Sequence, residues 1–141
     1  MSNTTFAHIN VRSLTRNFVE FSEHVRMNKF DFVAVSETWL HNGIDSHIVA
    51  IENYNFLRKD RGSRGGGVGI YVKSNYKATF IEQDVSKTYE QLWLRVVDKN
   101  KVIFIVGVVY RPPNTNVLNF IAEFEDAMCN ILPIHRNIYV L

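Results

Sequence analysis

Cysteine is nearly absent from this sequence: Cys129 is the only one among 141 residues. A lone cysteine cannot form a disulfide within the chain, which excludes a disulfide scaffold and suits a reducing compartment. The sequence also lacks an apolar run of membrane-spanning length, and its first residues have neither the basic leader nor the apolar stretch of a secretory signal. These absences predict an intracellular protein that is neither secreted nor in contact with a membrane.

Net charge is low as well, because 16 lysines and arginines face 14 acidic residues, for a formal charge of +2. A domain that wraps DNA usually has a stronger basic bias, so any basic patch here must be local. No histidine is spaced from another histidine or from Cys129 as zinc ligands are, and no G-x-S-x-G elbow is present. The spacing of histidine and cysteine therefore excludes a structural zinc module. The missing G-x-S-x-G motif excludes hydrolases that place a catalytic serine in that motif.

Hydrophobic residues make up 46% of the chain, which is enough for a core, and the length suits one domain. Residues 6–9 and 32–35 have the apolar pattern of buried strands, and residues 15–28 have the spacing of an amphipathic helix between them. Such a strand–helix–strand unit places its two strands parallel, with their carboxyl ends at one edge of the sheet. Asn10 and Glu37 should therefore lie on the same edge.

The remaining pattern continues the α/β alternation. A short helix is expected after Asp45, and a second amphipathic helix follows Thr115 or Asn116 as its cap. Residues 102–110 are almost continuously apolar and predict a central strand that ends before Pro112. The other predicted strands are residues 54–58, a pair at 68–72 and 78–81, 91–97, and 138–141, the last parallel to the strand ending at Tyr110.

Three polar residues, Asn10, Glu37 and Tyr110, stand at the carboxyl ends of apolar strands. Functional groups often occupy such positions. A carboxylate such as Glu37 suits a hard divalent cation, while Asn10 and Tyr110 can donate hydrogen bonds to a phosphate or a water. The alternative is that these strands simply end in polar residues where they reach water, and pattern alone favours it.

The polar loop at residues 60–67 contains Arg61, Arg64 and three consecutive glycines. Its arginines and exposed amides suit a phosphate backbone, although it matches neither the P-loop nor the dinucleotide fingerprint. The alternative is a solvated hairpin that needs glycine for positive φ. Trp39 and Trp93 are expected to be core or partly buried residues rather than platforms for base stacking.

Five segments carry a family resemblance, in order and over nearly the whole chain. They are residues 8–14 (HINVRSL), 31–40 (DFVAVSETWL), 58–61 (RKDR) with 65–72 (GGGVGIYV), 90–94 (EQLWL) and 108–113 (VVYRPP). Together they resemble the endonuclease/exonuclease/phosphatase superfamily, in the form found in the endonuclease domains of jockey-like non-LTR retrotransposons. Each segment is weak alone, but five in register are specific.

The resemblance implies a deoxyribonuclease-like fold, in which two mixed β-sheets flanked by helices form a four-layer sandwich. It implies hydrolysis of phosphodiesters with Mg²⁺ or Mn²⁺, and nicking of chromosomal DNA to prime reverse transcription. By position, Glu37 matches the metal-binding glutamate, Asn10 the asparagine beside metal and phosphate, and Tyr110 the active-site tyrosine. Arg61, Arg64 and Arg111 are the expected substrate-binding residues. The expected partners are DNA and a reverse transcriptase domain, and the site of action is the nucleus.

The sequence departs from the family at its end. The family's next motif is Gly-Asp-Phe-Asn, which follows a strand like residues 138–141. Residues 1–141 are therefore expected to be the N-terminal part of one domain. The aspartate and asparagine of that motif, a later aspartate and the catalytic histidine are then missing. Two other functions remain open: an inactive element copy with at most weak nucleic-acid binding, and a phosphoesterase acting on small phosphate esters such as inositol phosphates.

Overall fold

The computed structural model describes residues 3–141, which form two four-stranded sheets and two flanking helices. Within this part of the chain, no helix has the length and apolar character needed to span a bilayer. The strands are β1 (Phe6–Asn10), β2 (Phe32–Ser36), β3 (Tyr54–Lys59), β4 (Val68–Lys73), β5 (Lys77–Ile81), β6 (Glu90–Val97), β7 (Ile103–Tyr110) and β8 (Ile138–Val140). The helices are α1 (Phe18–Asn28), α2 (Val117–Ile131) and a short 3-10 helix at Ser46–Val49.

The first sheet has the strand order β1-β2-β4-β3 and confirms the predicted strand–helix–strand unit. β1 and β2 are parallel and in register, so that Asn10 lies opposite Ser36. The helix α1 begins at Phe18, later than predicted, because the Asn17 amide donates to the carbonyl oxygens of Val11, Arg12 and Ser13 and holds the preceding turn.

The second sheet has the order β5-β6-β7-β8, and β7 is the predicted central strand. It pairs with β6 on one side and, in parallel, with β8 on the other. The two strands predicted at residues 68–72 and 78–81 are both present, and they belong to different sheets, since β4 lies in the first sheet and β5 in the second. The intervening turn, closed by Tyr76 N donating to Lys73 O, carries the chain across. Asn116 is the cap of α2, and its side chain accepts from Asn119 N.

The hydrophobic core consists of three clusters, which lie between four layers: α1, the first sheet, the second sheet and α2. Phe32, Ile70 and Leu94 belong to the cluster between the two sheets. In the second cluster α1 packs on the outer face of the first sheet, and in the third cluster α2 packs on the second sheet. Burial of each large apolar side chain stabilises the fold by about 1.5–3 kcal/mol. The predicted architecture of two mixed sheets flanked by helices is confirmed.

Candidate active site

Three loops meet at the edge where β1, β2 and β7 end. The loop after β1 continues the parallel ladder, with Ser13 N donating to Glu37 O at 2.9 Å and Leu14 N to Thr38 O at 2.9 Å. The loop after β2 bonds in turn to the loop at residues 60–67, hereafter the glycine-rich loop. There Thr38 N donates to Gly67 O at 3.2 Å, and Trp39 N donates to Gly66 O at 2.7 Å. Backbone hydrogen bonds therefore hold all three loops in one arrangement.

This edge also concentrates left-handed backbone. Arg12, Ser13, Glu37 and Trp39 have φ of 42°, 81°, 52° and 55°, although none of them is glycine. Such a conformation costs on the order of 1–2 kcal/mol for each residue with a Cβ. Strain of this kind persists only where surrounding contacts impose it, and it gathers at functional sites. The surrounding loop bonds impose it here.

Glu37 and Tyr110 come together across the two sheets. The Tyr110 hydroxyl, at the end of β7, donates a hydrogen bond to Glu37 Oε1, and its ring packs against the cluster between the sheets. The Glu37 side chain is 20% exposed, and its Oε2 lies 4.0 Å from Arg12 Nε. The carboxylate is thus held in place but remains open to solvent.

Tyr110 is a neutral donor at physiological pH. Burial, and then the hydrogen bond and negative charge of Glu37, raise the pKa of the Tyr110 phenol above its ordinary value near 10. The Asn10 amide, which lies near the phenol, acts in the opposite direction. Asn10 is exposed at the end of β1. The structure therefore brings all three of the predicted residues to one place. The cluster combines one carboxylate with two neutral hydrogen-bonding groups.

The acidic residue Glu90, at the start of β6, was not among the residues selected from the sequence. It lies opposite Tyr110 in the β6–β7 register. Its Oε2 accepts from Gly67 N at 2.7 Å and its Oε1 from Arg61 Nη2 at 2.9 Å. Glu90 therefore ties the glycine-rich loop to the second sheet. The sequence does give one indication of this residue, because Glu90 lies in the fourth resembling segment, directly before the alternating strand predicted at residues 91–97.

The glycine-rich loop is a hairpin between β3 and β4, as the alternative from pattern held. Gly66 and Gly67 have φ of 62° and 91°. A Cβ on Gly66 would lie 2.0 Å from Arg61 Nε, and one on Gly67 would lie 2.5 Å from Thr38 Oγ1. The glycines thus permit close packing of Arg61 and Thr38 as well as the turn itself.

The three arginines predicted to bind substrate differ in their surroundings. Arg61 forms an ion pair with Glu90 and keeps 31% of its side chain exposed. Arg64 is exposed on the same loop. Arg111 is exposed directly after Tyr110, with its Nη1 3.2 Å from Thr115 O. All three belong to segments at the edge that carries Glu37.

The two tryptophans also differ. Trp93 is 1% exposed and donates from Nε1 to Gln91 Oε1 at 2.9 Å, as expected of a core residue. Trp39 is 46% exposed and belongs to the exposed residues, so the expectation of a core or partly buried residue is wrong for it. The reason is local: in the turned loop after Glu37, the buried side chains are those of Thr38 and Leu40.

The donor chemistry suits a hydrated Mg²⁺ or Mn²⁺. Mg²⁺ is commonly held through one or two carboxylates while it keeps several waters. Glu37 supplies one carboxylate and Asn10 one amide oxygen. Among residues 3–141, no three histidine, cysteine, aspartate or glutamate side chains are grouped so as to hold a metal. The described residues fit an open site for a hard cation held through Glu37.

No protein-family model matches the sequence, and no curated protein matches it. Solved structures do match its fold. D. rerio TDP2 complexed with single-strand DNA product matches with a TM-score of 0.69 over 99% of this chain, at 12% identity. An endonuclease/exonuclease/phosphatase family protein from Bacteroides thetaiotaomicron matches with 0.68 over 97%, at 10% identity. A mannosyl-6-phosphatase from the same organism matches with 0.65 over 98%, at 13% identity.

These likenesses show that the chain has the deoxyribonuclease-like fold of the endonuclease/exonuclease/phosphatase proteins. In the same order, the chain covers 59%, 60% and 63% of the matched chains. It therefore spans less than two thirds of their length.

Proposed function

We propose that the domain to which this chain belongs hydrolyses phosphodiester bonds in DNA with a divalent metal ion, and that it nicks one strand. The observation that carries the proposal is the Glu37–Tyr110 pair at an edge of this fold, in which Glu37 lies on a loop with left-handed backbone and Tyr110 ends β7. The match to TDP2 complexed with a single-strand DNA product supports DNA as the substrate class.

In this proposal Glu37 holds the metal ion, with Asn10 beside it. A bound divalent ion supplies charge stabilisation at the phosphate and lowers the pKa of water. Asn10 orients a phosphate oxygen by a hydrogen bond from its amide N–H, while the single hydroxyl proton of Tyr110 goes to Glu37 Oε1 and orients that carboxylate. Because both are neutral, they add directed donors without repelling the phosphate.

Binding of the DNA backbone is assigned to Arg61, Arg64 and Arg111. Phosphate contacts from arginine fix register and orientation without reading sequence. Since Arg61 is already paired with Glu90, Arg64 and Arg111 carry the larger share of the attraction. The low net charge makes this a local patch rather than a basic face.

We further propose that the nick primes reverse transcription in the nucleus, with a reverse transcriptase domain as partner in a longer chain. The five resembling segments support this. Because residues 1–141 span about three fifths of the matched structures, we propose that the rest of the catalytic centre comes from outside them. The alternative is an inactive element copy.

A second candidate is a phosphoesterase for small phosphate esters, which the match to a mannosyl-6-phosphatase favours. The deciding experiment compares supercoiled plasmid with mannose 6-phosphate and inositol phosphates, using a chain extended beyond Leu141. We expect Mg²⁺-dependent relaxed circles, loss of nicking with EDTA, and little release of phosphate from the esters. Release of phosphate without nicking would overturn the proposal in favour of the second candidate.

A further inference from the structure

Trp39 is a large aromatic side chain left in water beside the candidate active site. It is 46% exposed, whereas the other tryptophan, Trp93, is 1% exposed. Trp39 lies two residues after Glu37, in a loop fixed to the glycine-rich loop. An exposed tryptophan gives up much of the stabilisation that burial of its ring would bring.

The backbone of Trp39 is rigidly placed. Its φ is 55°, its N–H donates to Gly66 O at 2.7 Å, and Leu40 after it is buried. The indole edge lies beside the glycine-rich loop, since Trp39 Nε1 is 3.8 Å from the position a Cβ would take on Gly65. The loop therefore holds the backbone of Trp39 and leaves 46% of the residue exposed.

Cationic side chains lie close by. Arg61 Nη1 is 3.7 Å from that same Cβ position on Gly65, and Arg64 is exposed one residue earlier. Arginines beside an exposed aromatic ring are two of the features by which proteins hold single-stranded nucleic acid. The arginines attract the backbone, and the ring offers a surface to a base.

We propose that Trp39 is a stacking platform for an unpaired nucleobase next to the phosphodiester that is cleaved. The inference rests on the proposed function and assigns the substrate a single-stranded or locally opened segment at this point. Paired bases in a duplex already stack on each other, so only an unpaired base can offer its face to the indole. Because every base has such a face, the contact tolerates any sequence.

Intrinsic fluorescence tests this directly, since Trp39 is the exposed one of the chain's two tryptophans and Trp93 is a buried background. The chain Met1–Leu141 is titrated in EDTA with a dT oligonucleotide, and separately with an abasic oligonucleotide of equal length. We expect quenching and a blue shift with dT and little change with the abasic strand. Trp39→Phe should show almost no spectral response, because only Trp93 remains.

Affinity for a fluorescein-labelled dT strand gives the second readout. Trp39→Ala should weaken binding by roughly fivefold to a hundredfold, and Trp39→Phe by much less. Trp39→Ala should also leave the dependence of affinity on salt unchanged, whereas Arg64→Ala should make that dependence shallower.

Equal affinity for dT and abasic strands, or unchanged emission from Trp39 at saturation, would overturn the stacking role. The same result would favour a protein segment as the partner of this ring. Because these titrations need no metal and no cleavage, failure of the nicking proposal would leave their outcome readable.

Discussion

The Tyr110 hydroxyl donates a hydrogen bond to Glu37 Oε1, and this bond joins the end of β7 in the second sheet to the loop after β2 in the first, across 73 positions in the chain. A neutral phenol fixes one carboxylate oxygen, while the other lies 4.0 Å from Arg12 Nε. The carboxylate thus has a defined orientation before any ligand arrives. Preset groups of this kind need no reorganisation during a reaction.

Replacement of Glu37 is the sharpest test of the proposed metal site. Glu37→Gln keeps the shape and loses the charge, so it should reduce Mg²⁺-dependent nicking by an extended chain at least a hundredfold, about 2.7 kcal/mol of barrier. The exposed residue Glu52 gives a matched control, since Glu52→Gln removes the same charge elsewhere. Nicking by Glu37→Gln at the unmutated rate would rule the role out.

Tyr110→Phe removes one neutral donor and keeps the ring. We expect a loss of about tenfold to a hundredfold in kcat for nicking, because a hydrogen bond to a charged group such as Glu37 contributes about 1.5–3 kcal/mol. Tyr54→Phe is the control, as it deletes a hydroxyl that donates to Phe30 O on the far side of the first sheet. Equal losses in both variants would mean that Tyr110 acts only through stability.

Glu90 should act as a clamp on the glycine-rich loop. Glu90→Ala leaves Gly67 N and Arg61 without their acceptor, and we expect unfolding free energy to fall by about 1–3 kcal/mol. Hydrogen exchange at Gly67 should accelerate more than exchange in β4. Arg61→Ala alone should cost less, since its ion pair is partly exposed. Unchanged exchange at Gly67 in Glu90→Ala would contradict the clamp.

How far the sequence predicts the fold depends on whether a contact is local. The helix α1 and the ends of β1 and β2 depend on residues that are near one another in the chain. The apolar spacing of the sequence therefore predicts them closely. The separation of β4 and β5 into different sheets could not be predicted, because a short turn gives no sign that the chain changes sheet.

The site shows the same division. Asn10, Glu37 and Tyr110 follow from strand ends and from the family resemblance. The clamp by Glu90 and the exposure of Trp39 do not, because both depend on which loops face each other after the sheets pack. The spacing of polar and apolar residues does not predict that packing.

Stability should decline at alkaline pH. Burial, with the charges of Glu123 and Asp126, raises the pKa of the Tyr89 phenol from its ordinary value near 10 to about 12. Above pH 10 the Tyr89 phenol loses its proton in the unfolded chain while it keeps it in the folded chain. The contribution of Tyr89 to the free energy of unfolding is therefore complete below pH 10 and falls as pH rises to about 12. Tyr89→Phe should remove about 2 kcal/mol of that fall in urea unfolding.

The variant is structurally mild, because Gln91 Oε1 keeps its bond from Trp93 Nε1. Tyr139→Phe, which removes a phenol hydroxyl at a residue that is 45% exposed, is the matched control. An identical slope for Tyr89→Phe and the unmutated chain would contradict the assignment.

The chain Met1–Leu141 by itself should not nick plasmid above background with Mg²⁺, since Glu37 alone cannot position both the metal ion and the attacking water. We also expect self-association, because β1 and β8 are edge strands and Tyr139 and Val140 are 45% and 43% exposed. Size-exclusion chromatography and a plasmid assay check both. A sharp monomer peak with EDTA-sensitive nicking would show that these residues suffice.

The division of strands between the sheets sets an order of events during synthesis. All strands of the first sheet lie before Lys77, and all strands of the second begin at or after it. Since a ribosome releases the N-terminal residues first, the first sheet and α1 can assemble while β6 and β7 are still untranslated. The Glu37 loop is then shaped early, on a half-built domain whose inner face is uncovered. Nascent chains arrested at this stage should bind chaperones strongly, and release should follow translation of β7.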